Sequence, residues 1–293
     1  MSISIIVCAT KPDLVEELRE NIARTIGDGC EYEIIAIDNT RTPRPLAAIY
    51  NEGGRKARFD NLLFIHQDAG FITENWLLPI EKKLSEPDCG VIGFAGTKVM
   101  YDFPGSWGAS GLEWTATNYD DGGKLYRRIC IKEEDFTEVA ALDGFAMFVR
   151  KSVWEQSPFD EENLTGFHCY DVDFSISLFS RFKNYVCFSV LPYHHSPGNF
   201  DENWAKQTMR IYDRKWRNIL PCITPDVPLS EERARYLEER MCFKMLKEMN
   251  KIGFRDPVLT KRFLSFPMTA RHFEHLLKFL SYKIKGVLGR GVK

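Results

Sequence analysis

The chain has 293 residues, of which 44% are hydrophobic and 27% are charged, a composition typical of a folded globular protein and too apolar for a disordered one. Its formal net charge of -2 at pH 7 provides no general attraction for nucleic acid or for an anionic membrane, so contact with a membrane would need a local basic patch. We therefore expect no nucleic-acid partner, and the length suits one large domain with an extension.

The first residues and the cysteines favour a cytoplasmic protein. The segment from Ser2 to Cys8 lacks the basic start, long apolar stretch and cleavage site of a secretory signal, and it predicts a first β-strand instead. No window has the roughly eighteen uninterrupted apolar residues that a membrane-spanning helix needs. The cysteines form no CxxC pair, which favours free thiols over a zinc or redox site. They are Cys8, Cys30, Cys89, Cys130, Cys169, Cys187, Cys222 and Cys242.

Three strand-helix units are predicted at the start of the chain. A β-branched run over residues 3–9 precedes apolar positions at helical spacing up to about residue 26. A second strand over 32–37 precedes a helix over about 46–58, and residues 61–66 form a third strand of nearly continuous apolar character. Such strands are typical of a sheet that is covered on both faces. The pattern predicts an α/β fold with a doubly wound, mostly parallel sheet.

The pattern changes after residue 95, where alternation of strands and helices gives way to loops. Asp143 stands inside an apolar run, which is unfavourable unless its carboxylate is paired or functional. We expect an α/β domain over residues 1–200 and a helical C-terminal extension over residues 201–293. The predicted elements are loops and a hairpin over 97–137, a buried strand over 138–150 interrupted at Asp143-Gly144, a short helix from Lys151, a helix from about Tyr170, a strand over 185–191, and helices over 200–293.

Polar side chains follow each of the first three predicted strands. The strand ends carry Ala9-Thr10, Asp38-Asn39 and Gln67-Asp68. Ligands of doubly wound sheets bind beyond the carboxyl ends of the strands. Any single Asp or Asn is equally well explained as a helix cap or turn former. Their occurrence at three successive strand ends predicts a binding site at this edge of the sheet.

Further acidic and imidazole groups lie at predicted element ends, namely Asp68, Asp171 with Asp173, and His194 with His195. A carboxylate and an imidazole, together with phosphate oxygens and water, suit Mn²⁺ or Mg²⁺. No cysteine or histidine set has the spacing of structural zinc. Two simpler interpretations remain open: the histidines could be a hydrogen-bonded strand end, and the two aspartates could offset a helix dipole.

Seven short motifs occur in an order that resembles family 2 glycosyltransferases with the GT-A fold, and most closely the branch whose metal motif is His-Gln-Asp. The resemblance covers about residues 1–200, and it depends on the order of the motifs because none is decisive alone. The motifs are Ala9-Thr10, Asp38-Asn39, Tyr50-Asn51-Glu52-Gly53, Phe64-Ile65-His66-Gln67-Asp68, Leu142-Asp143-Gly144, Tyr170-Asp171-Val172-Asp173 and His194-His195-Ser196.

The resemblance implies a nucleotide-sugar donor, with UDP as the expected nucleotide, and residues 1–200 as the nucleotide-sugar-binding catalytic domain. It implies that Asp68 coordinates Mn²⁺ or Mg²⁺ between the two phosphates, and that His194 or His195 completes the metal site. Asp38 could accept a hydrogen bond from a uracil ring nitrogen. The implied nucleotide-binding residues are Ala9, Thr10, Asp38, Asn51 and Gln67, and the implied contacts of the donor or acceptor sugar are Asp143, Gly144, Asp173 and Trp107.

The resemblance also implies the reaction, which is inverting transfer of the sugar to a hydroxyl of a glycan or lipid-linked acceptor. Asp171 occupies the position of the general base, which removes the proton of the attacking hydroxyl. Two residues depart from the common pattern: His66 replaces an acid of the metal motif, and Tyr170 replaces the glutamate before the base. The Gln-x-x-Arg-Trp motif of processive synthases does not follow Asp171.

Two other classes of function compete with this interpretation. The altered metal motif would also suit a non-catalytic protein that binds a nucleotide sugar or a glycan. A sugar-phosphate nucleotidyltransferase would need a Gly-rich loop after the first strand, which Ala9-Thr10-Lys11-Pro12 does not provide. Residues 271–293 are basic and amphipathic, so they could contact a membrane surface peripherally, or pack on the domain or on a second subunit of a homo-oligomer.

Overall fold

The computed structural model describes residues 1–128, 134–196 and 200–288. The strands in these ranges are β1 (Ser2–Ala9), β2 (Glu31–Asp38), β3 (Asn61–Ile65), β4 (Ala69–Phe71), β5 (Cys89–Gly93), β6 (Ala95–Thr97), β7 (Val99–Met100), β8 (Thr115–Asp121), β9 (Lys124–Arg128), β10 (Phe136–Val139), β11 (Ala141–Leu142), β12 (Ala146–Arg150), β13 (Lys183–Cys187), β14 (Pro192–His194) and β15 (Cys222–Ile223). The helices are α1 (Pro12–Thr25), α2 (Leu46–Lys56), α3 (Leu77–Leu84), α4 (Lys151–Trp154), α5 (Tyr170–Leu178), α6 (Glu202–Arg214), α7 (Glu231–Lys251), α8 (Pro257–Leu264) and α9 (Ala270–Leu288).

The central sheet has seven strands in the order β10-β13-β5-β12-β3-β1-β2. β1 pairs in parallel with β2 and β3, and β13 pairs in parallel with β5. β12 runs antiparallel between β3 and β5, and β10 is an antiparallel edge strand. Five of the seven strands therefore share one direction, which confirms the predicted mostly parallel α/β sheet.

Helices cover both faces of this sheet, as the continuous apolar strands predict. Successive side chains of a strand point to opposite faces. Along β1, Ile5 joins the core beneath α1 and α3, whereas Ile6 joins the core beneath α2. All four residues from Leu62 to Ile65 in β3 are fully buried. Because both faces are covered, the middles of these strands are buried and only their ends reach the surface.

The region after residue 95 builds a second sheet, in the order β11-β6-β8-β14-β4 with β9 paired to β8. β8 and β9 form the predicted hairpin, and its turn contains Gly122 and Gly123 at φ angles of 59° and 93°, which glycine adopts at little cost. The predicted strand over 138–150 is three strands: the chain leaves the central sheet after β10, forms β11 in the second sheet, and returns as β12. The break at Asp143-Gly144 is confirmed.

Helices α6 to α9 confirm the helical character of the C-terminal region. This region also contains β15, which pairs with β7, and Lys98 binds Asp226 across the same contact. No helix in the described ranges is long and apolar enough to cross a bilayer. The cysteines described by the structure are free, and Cys130 lies outside the described residues.

Candidate active site

A cavity of about 740 Å³ opens beyond the carboxyl ends of β1, β2 and β3. The ends of these strands contribute Cys8 and Thr10, Asn39, and the segment from His66 to Asp68. This is the edge of the sheet that the sequence predicts. The other walls include Arg44, Tyr50, Trp107, Asp143, Gly144, Phe167, His168, Tyr170, Asp171, His194, Ser196, Phe200, Trp204 and Trp216.

Gln67 shapes the side of the cavity next to β1. Its Oε1 accepts hydrogen bonds from the backbone amides of Thr10 and Lys11 at 3.0 and 2.9 Å. Its Nε2 donates to Oγ1 of Thr10 at 2.6 Å. The loop after β1 is thereby held against the loop after β3, and Thr10 is fixed at the cavity wall.

The structure does not bring three of the predicted nucleotide contacts to the cavity. Asn51 is buried, and its side chain bonds the backbone of Phe159 at 2.8 and 3.0 Å. Cys8 and Thr10 line the cavity, whereas Ala9 between them does not. Successive side chains of a strand point to opposite faces, so that of Ala9 points away. Asp38 accepts hydrogen bonds from the amide and hydroxyl of Thr40, and these bonds lower the pKa of Asp38. It is Asn39, one residue later, that lines the cavity.

A compact group of possible metal ligands lies at the end of β3. Single ligand atoms of His66, Asp68 and His194 all lie within 4.8 Å of one another. Nε2 of His194 is 3.4 Å from Nδ1 of His66 and 3.7 Å from Oδ1 of Asp68. Two atoms that each bind one ion at about 2.1 Å lie about 3.0 to 3.4 Å apart. The spacing therefore fits a divalent ion with little movement.

His195 is not part of this group. Its backbone amide donates to the carbonyl of Asp68 at 3.2 Å, and its ring packs on that of Tyr193 with centroids 5.0 Å apart. His66 takes its place as the third member, although the sequence pattern marks His66 only as a lost acid. The available signal was its spacing, since it precedes Asp68 by two residues just after β3.

Burial favours the neutral forms of His66 and His194, because it lowers the pKa of both side chains. Burial, and after it the neighbouring His194, lower the pKa of His66 to about 4. Burial also lowers the pKa of His194. A neutral imidazole has a free lone pair and is the form that binds metal. The low pKa values therefore suit two metal ligands.

Tyr170 connects His66 to the opposite wall of the cavity. The Tyr170 hydroxyl lies 2.7 Å from Nε2 of His66 and donates to the carbonyl of Gly144 at 3.0 Å. A Cβ atom at position 144 would lie 2.3 Å from the same hydroxyl oxygen. Glycine is therefore required where the loop after β11 approaches α5.

Asp171 is the second residue of α5, and it is the side chain best suited to act as a base. Cys169, which precedes the helix, has a φ angle of 69°, an uncommon left-handed conformation for a residue other than glycine. After this turn Asp171 lines the cavity. Burial, and after it the charge of Asp143, raise the pKa of Asp171 to about 7. A carboxylate with such a pKa can accept a proton near neutral pH.

Asp143 and Asp173 have different surroundings although both are implied to contact sugar. Asp143 lines the cavity and accepts hydrogen bonds from Nε1 of Trp107 at 3.0 Å and from the amide of Phe145 at 3.1 Å. Asp173 is 1% exposed and binds Lys215 at 2.8 Å and Nε1 of Trp216 at 2.9 Å. The structure thus places Asp143 and Trp107 at the cavity, and it turns Asp173 away to link α5 with the end of α6.

Comparison with known proteins identifies the family. Residues 4–218 match the model of a glycosyltransferase-like family. No curated protein sequence matches the chain.

Among solved structures, GalNAc-T7 with UDP, GalNAc and Mn2+ superposes with a TM-score of 0.54 at 10% identity, over 91% of this chain and 58% of that one. TarS from S. aureus (residues 1–349) gives a TM-score of 0.52 at 13% identity, over 99% of this chain and 82% of TarS. The same TarS fragment with UDP-GlcNAc gives 0.53 at 12% identity, over 98% and 82%. The chain therefore spans little more than half of the GalNAc-T7 structure, and the likeness shows a shared fold. The chain belongs to the glycosyltransferase-like family and has the GT-A fold of glycosyltransferases.

Proposed function

We propose that the protein is an inverting glycosyltransferase that moves a sugar from a nucleotide donor to an acceptor hydroxyl. The observation that carries this proposal is that one cavity holds both Asp171, whose pKa is raised to about 7, and the group of His66, Asp68 and His194. A base and a site for a metal-bound diphosphate are the two parts that direct displacement at an anomeric carbon requires. A protein that only binds a nucleotide sugar has no need of a carboxylate with a raised pKa.

Asp171 acts on the acceptor. Its carboxylate removes the proton as the acceptor oxygen attacks the anomeric carbon from the face opposite the nucleotide, so that the configuration of that carbon inverts. Trp107 and Asp143 orient the sugar from the adjacent wall. A divalent ion held by Asp68 and His194 would offset the charge that develops on the departing diphosphate.

UDP is the proposed donor nucleotide, bound beside Thr10 and Asn39. Arg44 also lines this part of the cavity; one nitrogen of its guanidinium binds Glu52 at 2.6 Å, and the remaining donors suit phosphate oxygens. Solved structures with this fold include GalNAc-T7 with UDP and TarS with UDP-GlcNAc. Asp38 itself does not line the cavity, so its neighbour Asn39 is the proposed contact of the uracil ring. Mn²⁺ or Mg²⁺ is the proposed cofactor.

The acceptor is proposed to be a glycan or a lipid-linked sugar. Phe167 and Phe200 line the cavity, yet their side chains are 55% and 54% exposed. Exposed aromatic rings at the mouth of a cavity offer flat apolar surfaces on which a sugar ring can pack. The ring of Phe200 is held by Trp204, with centroids 4.8 Å apart.

The C-terminal helices carry an exposed apolar surface. Phe273, Leu277 and Leu280 of α9 are 56%, 53% and 51% exposed, and their spacing of four and three residues places them on one face. Leu264 and Met268, just before α9, are 56% and 71% exposed. We call these five residues the C-terminal apolar surface. Clustered exposed apolar side chains mark an interaction site.

The charge of the same region indicates the kind of partner that the C-terminal apolar surface binds. Residues 240–293 contain thirteen Lys and Arg against three acidic residues, whereas the whole chain contains 39 basic and 41 acidic residues. Basic residues beside an apolar helix face are typical of contact with an anionic membrane surface. We propose that the C-terminal apolar surface binds such a membrane peripherally, which would bring the cavity to a lipid-linked acceptor.

Vesicle flotation tests the membrane proposal. Wild type is expected to float with vesicles containing phosphatidylglycerol, less so as salt is raised, and not with phosphatidylcholine alone. The double variant Phe273→Ser, Leu277→Ser should remain in solution, whereas Leu78→Ser, which alters a side chain 58% exposed on α3, should float like wild type. Wild type that stays in solution as a dimer, and becomes a monomer in the double variant, would show that the surface binds a second copy instead.

Donor turnover tests the catalytic proposal. Wild type with Mn²⁺ is expected to hydrolyse or transfer sugar from at least one UDP-sugar, and NMR of the first product should show the inverted anomeric configuration. Binding of UDP without turnover of any nucleotide sugar in a donor panel would favour the non-catalytic binding protein. Retention of configuration would contradict the role of Asp171.

A further inference from the structure

The two residues that depart from the common family pattern contact each other. His66 lies at the end of β3 and Tyr170 begins α5, 104 positions later, yet Nε2 of His66 is 2.7 Å from the Tyr170 hydroxyl. Tyr170 is 4% exposed, so this contact is made inside the protein. The pair behaves as one structural unit at the cavity wall.

The hydrogen bonds of Tyr170 decide which ring nitrogen of His66 carries the proton. A tyrosine hydroxyl has one hydrogen to donate. The Gly144 carbonyl, 3.0 Å away, can only accept it. The hydroxyl oxygen is then free to accept from Nε2–H of His66. In this arrangement both contacts of the hydroxyl are hydrogen bonds.

The opposite tautomer makes poorer bonds. It would direct Nδ1–H of His66 at Nε2 of His194 across 3.4 Å, which is long for a hydrogen bond from nitrogen. In that tautomer the Tyr170 hydroxyl would donate its hydrogen to Nε2 of His66, so it could no longer donate to the Gly144 carbonyl. The Nε2–H tautomer therefore fits better, and it leaves the lone pair of Nδ1 facing Asp68 and His194.

We propose that Tyr170 is a positioning residue that holds His66 in the Nε2–H tautomer, so that Nδ1 of His66 is a third protein ligand beside Asp68 and His194. The inference rests on the proposed function in that both place a divalent ion in this site. It adds the role of Tyr170, which orients His66 within the group of two imidazoles and one carboxylate. Imidazole ligands favour first-row transition ions over Mg²⁺, so this site should select Mn²⁺.

The first test is Mn²⁺ binding by the full chain without any nucleotide, followed by the EPR signal of the free ion. Loss of a group that orients a metal ligand lowers metal affinity by about 10 to 100-fold, and we expect Tyr170→Phe to raise the Kd for Mn²⁺ by that factor. Tyr101→Phe is the matched control, since Tyr101 is also a buried tyrosine whose hydroxyl donates to a backbone carbonyl, that of Ser110 at 3.1 Å, and it does not line the cavity. It should bind Mn²⁺ like wild type.

The second test counts nitrogen ligands. Pulsed EPR of bound Mn²⁺ should show nitrogen coupling from two imidazoles in wild type and from one in His66→Asp, and Mg²⁺ should displace Mn²⁺ more readily from the variant. The inference is overturned if wild type binds no Mn²⁺, if Tyr170→Phe binds it as tightly as wild type, or if His66→Asp keeps the same nitrogen coupling. Because no donor is present, a protein that passes these tests but turns over no sugar would refute the proposed function alone.

Discussion

Nε1 of Trp107 donates a hydrogen bond to Oδ2 of Asp143 at 3.0 Å, and the charge of Asp143 is, after burial, the main reason why the pKa of Asp171 is raised to about 7. Trp107 thus holds in place a carboxylate that tunes the proposed base. This links the loop over the sheet to the chemistry at the start of α5. It also gives the proposed reaction a defined dependence on pH.

The pH dependence of kcat/KM should show a base that must lose its proton near pH 7. Activity is expected to fall about tenfold per pH unit below that value and to level off above it, because only ionised Asp171 can accept a proton. Asp143→Asn should shift this fall in activity to lower pH, because removal of the neighbouring negative charge lowers the pKa of Asp171. A profile that stays flat down to pH 5, or one that is unmoved by Asp143→Asn, would contradict this coupling.

Asp171→Asn should stabilise the fold while it removes activity. The pKa of Asp171 is raised from 3.8 to about 7, so the folded state holds its proton more tightly than the unfolded state. The free energy of unfolding of wild type therefore decreases as pH rises from about 4 to 7. Above pH 7 the ionised carboxylate destabilises the fold by its full amount. We expect Tm of the variant to exceed that of wild type by about 2 to 6 °C at pH 8. At pH 4 the two should melt together.

Asp173→Asn should have the opposite effect on stability. Although burial raises the pKa of Asp173, its carboxylate accepts hydrogen bonds from Lys215, whose side chain is 28% exposed, and from Trp216, and loss of a hydrogen bond to a charged group costs about 1.5 to 3 kcal/mol. We expect Tm to fall at pH 8, with donor affinity of the folded variant retained. If Tm is unchanged while donor affinity is lost, Asp173 contacts the sugar after all.

Phe167→Ala should weaken acceptor binding selectively. Loss of an aromatic stacking surface is worth about 1 kcal/mol, which corresponds to a several-fold rise in the KM for the acceptor. Hydrolysis of the donor in the absence of acceptor should keep its rate. Equal losses in both reactions would place Phe167 on the donor side of the cavity.

The sequence was sufficient to predict the sheet and the edge at which the cavity lies, because these depend on local apolar runs and on the order of the strands. The sequence could also have decided between candidate site residues that are close neighbours in the chain. Residues two apart on a helix point to different faces, so Asp171 and Asp173 could not both face the cavity. Neighbouring residues of a strand alternate, so only one of His194 and His195 could.

Other features depend on contacts between distant parts of the chain. In the sequence, His66 and Tyr170 are two separate replacements of acidic residues in the family motifs. Their hydrogen bond could not be predicted without knowing that the start of α5 lies beside the end of β3. Asn51 belongs to a matching motif, but its side chain completes the hydrogen bonds of the loop at Phe159. The break of the 138–150 strand was visible at Asp143-Gly144, whereas the sheet to which each piece belongs was not.

The central claim is that Asp171 is the base of a sugar-transfer reaction, and donor turnover by Asp171→Asn tests it most directly. With Mn²⁺ and a UDP-sugar that wild type accepts, the variant is predicted to lose at least about 100-fold in kcat while its Kd for UDP is unchanged. Asp68→Ala should lose both turnover and the dependence on Mn²⁺. Turnover by Asp171→Asn at the wild-type rate would contradict the account.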